Sequence, residues 1–121
     1  MVFQLRTSYG CGVELALDVI GRKWMALILV HIKQGAKHYT ELRTLIPGLS
    51  EKMLTERLGD LVSAGLIERH ARGRRVSYTL GERGERLPPA LEALHAWGEW
   101  LAEEESIALD SAGGREPGQQ P

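Results

Sequence analysis

A single cysteine, Cys11, is all the thiol this 121-residue chain carries, so no disulfide framework can staple it from within. That usage fits a reducing cytoplasm and leaves only a disulfide between two copies. No apolar run approaches the roughly 20 residues needed to cross a bilayer, and the N-terminus lacks the build of a signal peptide. The histidines, His31, His38, His70 and His95, are scattered without metal-ligand spacing to Cys11. There is no glycine-rich phosphate loop and no catalytic motif. The sequence therefore leads us to expect no metal, no cofactor and no enzymatic activity, and no membrane partner.

Charge of one sign is lacking as well, since the formal net charge is −1. Its distribution is uneven. Residues 1–81 carry 12 Lys and Arg against 7 Asp and Glu, whereas residues 82–121 carry 3 against 9. Affinity for a polyanion depends on how many phosphates one face can neutralise, not on the total. The basic first two thirds are the part expected to meet nucleic acid.

What is present is a regular order of short elements. Val13 to Ile20 reads as a helix packing through Val13, Leu17 and Ile20 and closed by Gly21. Lys23 to Ile32 reads as a central core helix with Trp24, Leu27, Ile28 and Leu29, ended by Gly35. A very short strand over Lys37 to Tyr39 precedes a brief helix capped by Thr40, which Pro47-Gly48 terminates. Ser50 is placed to cap the next helix. Leu54, Leu58, Leu61 and Val62 recur on it at helical spacing and form one apolar stripe, up to Gly65.

Leu66 to Ala71 and Val76 to Leu80 then read as strands joined through Arg72-Gly73-Arg74-Arg75. From Gly81 the pattern is helical again, with Pro88 and Pro89 expected to interrupt or kink it. Residues 1–110 are expected to form one domain. The segment from Ser111 has no periodic apolar face and is expected to be a disordered tail. The fold class is thus mainly α with a small β wing: a winged helix-turn-helix whose first small strand joins the hairpin in a three-stranded sheet.

This architecture points to double-stranded DNA as the partner. With the apolar stripe facing the core, Lys52, Thr55, Glu56 and Gly59 point outward. Residues at the start of a recognition helix reach base edges in the major groove. Lys52 can donate to guanine and Thr55 can touch a base or a thymine methyl. Ser50 suits a phosphate, while Glu51 and Glu56 repel the backbone unless one accepts from a cytosine amino group. Arg69, Arg72, Arg74 and Arg75 fall within seven positions free of acidic residues and fit a minor-groove or phosphate contact. Lys37, Thr40 and Arg43 would flank the groove as backbone contacts.

Several motifs in order carry a family resemblance: Cys11-Gly-Val-Glu14, Gly21-Arg-Lys-Trp24 with Leu27-Ile-Leu29, Tyr39-Thr-Glu-Leu42 and Pro47-Gly-Leu-Ser50. Met53-Leu-Thr55, Gly65-Leu-Ile-Glu-Arg69, Val76-Ser-Tyr-Thr-Leu80, Leu87-Pro88 and Trp97-Gly98 continue it. From Cys11 to Trp100 the chain resembles the HxlR-type winged-helix transcriptional regulators of bacteria. The resemblance implies a homodimer on an inverted-repeat operator, acting as a repressor, with the first and last helices forming the dimer interface. Leu94, Trp97, Trp100 and Leu101 form the aromatic stripe suited to that interface. It also implies that Cys11 can serve as an oxidant- or electrophile-sensing thiol, at a helix start that favours the thiolate. Against the family pattern, Gly12 stands where a proline is common, and the wing is shorter and richer in arginine.

Three other readings stay open at this level. One is a ligand-responsive winged-helix regulator of another type, such as the MarR or ArsR kinds. A second is a protein-interaction module whose basic wing binds an acidic partner. The third, a thiol enzyme built on Cys11, lacks an identifiable neighbouring base. Cys11 itself can also be read as a small buried hydrophobe.

Overall fold

The computed structural model describes residues 4–109. The tail expected from Ser111 lies outside the described residues. In chain order the elements are helix α1 (Gly12–Ile20), helix α2 (Met25–Lys33), strand β1 (Lys37–His38) and helix α3 (Tyr39–Leu45). Helix α4 (Glu51–Ser63), strands β2 (Ile67–Arg72) and β3 (Arg75–Leu80), a 3-10 turn (Gly84–Arg86) and helix α5 (Pro88–Glu104) follow. The sheet is antiparallel with order β1-β3-β2. Helices α3 and α4 form the helix-turn-helix and the sheet forms the wing, as expected.

The core forms around α2, whose near-continuous hydrophobicity follows from its position against α3, β3 and α5. Met25, Ile28 and Leu29 are fully enclosed with Leu42, Leu54 and Leu61, and Ile67, Tyr78 and Leu91 close the cluster. The Ser50 Oγ accepts the Met53 N–H at 3.1 Å, which fixes the start of α4. Its end is as well defined. Gly65 takes φ +78, and Gly65 and Leu66 donate back to the Val62 and Leu61 carbonyls at 3.0 Å each. That pair of bonds is a Schellman stop, which needs a left-handed residue and so favours glycine.

Several expectations are corrected. Helix α1 does not pack through Val13 and Leu17, which are 67% and 54% exposed. Only Ile20, nearest the bundle, is buried there. Helix α2 starts at Met25 rather than Lys23, because Trp24 holds φ +78 and cannot lie inside a helix. Trp24 packs against the core from its margin, half-buried. The cap of α3 is His38 rather than Thr40, because Glu41 reaches back to accept the His38 N–H at 2.7 Å. Val62 stands at the edge of its stripe and is exposed. Pro88 and Pro89 open α5 rather than break it, since first-turn N–H groups have no intrahelical acceptor to lose.

Candidate nucleic-acid interface

The exposed side of the helix-turn-helix is built from α4 and the face of the wing that looks at it. Side chains alternate across a strand, so Ile67, Arg69 and Ala71 share one face of β2, and Glu68, His70 and Arg72 share the other. Arg69 is paired across the ladder with the buried Tyr78 and points toward α4. Gly73 at φ +59 makes the hairpin turn and leaves Arg74 at its tip. A positive φ at the first of two turn residues is the geometry in which glycine is strongly favoured.

Between wing and α4 lies an open cleft of about 630 Å³, bordered by Thr40, Glu51, Thr55, Arg69, Arg74 and Arg75. Six of the residues singled out in the sequence thus meet there. His38, Tyr39, Val76 and Tyr78 also line it and were not anticipated. Tyr39 is the most consequential, since its hydroxyl is 3.2 Å from Thr55 Oγ1 and donates to the Glu51 carbonyl at 3.3 Å. No short-range pattern ties positions 39 and 55 together. Thr55 therefore stands on the outward side with its hydroxyl already oriented.

The remaining candidates divide by how their charge is used. Arg43 Nη1 pairs with Glu51 Oε2 at 3.0 Å, which joins α3 to α4 and mutes the repulsion of that carboxylate. Arg75 Nη2 is 3.2 Å from His38 Nε2. Arg69, Arg72, Arg74 and Lys52 are exposed and make no ion pair with any of the described residues. Arg72 does not border the cleft, although Arg75, opposite it on the ladder, does. Lys52 and Glu56 stand on the exposed side of α4, outside the cleft, and Lys37 is half-buried on β1 beside Tyr78.

Two features lie apart from this surface. Cys11 is exposed at the N-terminus of α1 and so is not a buried hydrophobe; the Leu15 N–H donates to its carbonyl at 3.2 Å. On α5, Leu94, Trp97 and Trp100 are 52%, 61% and 54% exposed. Leu101 is half-buried, while Leu91 and Ala102 face the core. The apolar face of α5 is thus wider than the core it covers.

Residues 19–106 match the HxlR-like helix-turn-helix family model. The uncharacterised HTH-type transcriptional regulator YkvN of Bacillus subtilis is 38% identical over 101 residues, spanning 81% of this chain and 86% of that protein. Among solved structures, the redox regulator HypR in its reduced form superposes with a TM-score of 0.73 at 32% identity, over 81% of this chain and 100% of that one. The reduced form of the transcriptional regulator YodB from B. subtilis gives 0.68 at 32% identity, over 79% of this chain and 98% of that one.

Proposed function

The chain belongs to the HxlR-like helix-turn-helix family and is a DNA-binding transcriptional regulator, and we propose that it works as a cytoplasmic homodimeric repressor on an inverted-repeat operator. The observation that carries the reading is one surface. A capped recognition helix presents Lys52 and Thr55 outward beside a hairpin whose Arg69 and Arg74 have no internal partner among the described residues. In this arrangement Lys52 and Thr55, with Glu56 beside them, meet base edges. Ser50 and Glu51 stand at the helix start, and the hairpin arginines with Lys37, Thr40 and Arg43 hold the sugar–phosphate frame.

The exposed apolar face of α5, together with Val13 and Leu17 of α1, is the surface a second copy would cover. Two recognition helices about 34 Å apart then read half-sites one turn apart. Cys11, exposed at a helix N-terminus, is the group through which a thiol oxidant would act. The likeness to HypR, a redox regulator solved in reduced and oxidised forms, supports this. In the simplest case two Cys11 thiols, one from each protomer, lose two electrons and two protons to diamide and join as a disulfide.

The deciding experiment is fluorescence anisotropy of the reduced protein on the duplex upstream of its own gene. A scrambled duplex runs beside it, from about 50 to 200 mM salt. Preferential, salt-sensitive binding to the native duplex is the expected result. Salt-insensitive or absent binding to both duplexes would overturn it.

A further inference from the structure

A helix seated in a major groove has a sugar–phosphate strand along each flank, and the wing attends to only one flank of α4. At about 100° per residue, Arg57 and Asp60 lie on the opposite flank from Glu51 and Val62. The turn between α1 and α2 meets the helix there. Arg22 Nη1 is 2.9 Å from Asp60 Oδ2, whose side chain is only 6% exposed. Arg57 Nε donates to the Lys23 carbonyl at 3.0 Å. A second hollow of about 350 Å³ opens here, walled by Arg22, Glu56, Arg57 and Asp60. Thr55 borders both hollows, so the outward side of α4 forms a ridge between two grooves.

The turn is held in shape against a backbone cost. Trp24 is a non-glycine residue at φ +78, a conformation that is costly for an L side chain and persists where surroundings enforce it. Its ring packs on the core, and the Lys23 ammonium lies 5.0 Å from the ring centroid. The charges on this flank are not equivalent. Arg22 is spent on Asp60. Lys23 is exposed with no ion pair to any described residue, and Arg57 uses only Nε, which leaves its Nη edge available.

We propose that the α1–α2 turn is a second DNA-backbone arm, in which Lys23 and the Nη edge of Arg57 hold phosphates of the strand on the flank opposite the wing. The inference rests on the DNA-binding reading above. A guanidinium already fixed through Nε loses less freedom when it takes up a phosphate. Glu56, in the same hollow, repels phosphate, so the contact falls on the turn side of the groove rather than on its floor.

The test is the salt slope of binding, measured by anisotropy on the duplex upstream of the protein's own gene and on a scrambled duplex. Lys23→Gln keeps the carbonyl that holds Arg57, so the turn survives, and the thermal midpoint should fall only slightly through loss of the ammonium over the Trp24 ring. Each phosphate contact contributes about 0.9 to the slope of log K against log salt, and a dimer carries two copies, so the slope should fall by about 1.8 for K23Q and about twice that for K23Q/R57Q. The loss should be equal on both duplexes, because a phosphate contact carries no base preference. An unchanged slope for K23Q on a wild-type protein that binds in a salt-dependent way overturns the arm alone. A wild-type protein with no salt-dependent binding to either duplex overturns the DNA reading itself. A fall confined to the native duplex overturns the phosphate assignment.

Discussion

The Tyr39 hydroxyl stands 3.2 Å from Thr55 Oγ1 and 3.3 Å from the Glu51 carbonyl oxygen, which pins the first helix of the helix-turn-helix to the second. One aromatic side chain thereby joins α3 to α4, alongside the Arg43–Glu51 pair, and orients the hydroxyl of an outward residue. Tyr39→Phe should cost about 1 kcal/mol of stability. It should also widen the range of duplexes bound, because Thr55 regains its rotational freedom. Denaturant unfolding reads the first effect and competition between native and mutated duplexes reads the second. A variant equal to wild type in both would show that the hydroxyl orients nothing.

The cap at Ser50 predicts a local stability loss. Ser50→Ala removes the acceptor for the Met53 N–H and should lower stability by about 1 kcal/mol, while Ser50→Asp should retain most of it. In a domain of this size that corresponds to a thermal midpoint lower by roughly 4–8 °C. An equal midpoint for the alanine variant would mean that water replaces the cap at no cost.

Arg22 and Asp60 predict a non-additive pair. Arg22→Ala leaves a buried carboxylate without its partner and should destabilise by about 2 kcal/mol, short of the full burial penalty because Arg22 itself is 37% exposed. Arg22→Ala combined with Asp60→Ala should lose less than the sum of the two single variants. Strict additivity in urea melts would show that the ion pair contributes nothing.

Lys52 and Arg74 should differ in kind. Lys52→Ala should cost about 1–3 kcal/mol of binding per half-site and relax preference at one base pair in each. Arg74→Ala should weaken native and scrambled duplexes alike and reduce the salt slope by about one per protomer, or about two for the dimer. Identical behaviour of the two variants would mean that α4 does not read bases through Lys52.

The apolar face of α5 should govern assembly. Trp97→Asp places a carboxylate between Leu94 and Trp100, each more than half exposed in the single chain, in place of an indole that is 61% exposed. Sedimentation should report a dimer for wild type and a monomer for the variant, whose duplex affinity falls with it. Diamide should lower duplex affinity of wild type but not of Cys11→Ser. A variant that remains dimeric would move the interface elsewhere, and diamide-sensitive binding by Cys11→Ser would dismiss the thiol switch.

Local rules made the helix-turn-helix and hairpin legible. The Ser50 cap, the Leu54, Leu58 and Leu61 stripe, and the alternation from Val76 to Leu80 each specify structure within a few residues of chain. What local pattern hid was geometry set by distant partners. Thr40 satisfied the rule for a cap, yet Glu41 favours His38 by bonding back to its N–H. Pro88 and Pro89 suggested a break, but their effect depends on whether an α-helix precedes them, and only the 3-10 turn Gly84–Arg86 does. Val13 and Leu17 have the spacing of core residues, and periodicity cannot say whether the covering surface belongs to the same molecule. Tyr39 in the cleft and the Lys23–Arg57 contact span 16 and 34 positions, far beyond any helical or strand repeat.

The ladder between β2 and β3 stays in register as far as Arg72 opposite Arg75, and only Gly73 and Arg74 lie beyond it. The reach of the wing is therefore a stepped quantity, not a continuous one. One residue added to each strand carries the tip outward by about 3.4 Å and turns every tip arginine to the opposite face. Two added to each carry it about 7 Å and restore the facing. Length changes in this hairpin are thus silent with respect to facing only in pairs, a parity constraint on how such a wing can be lengthened by engineering or by descent.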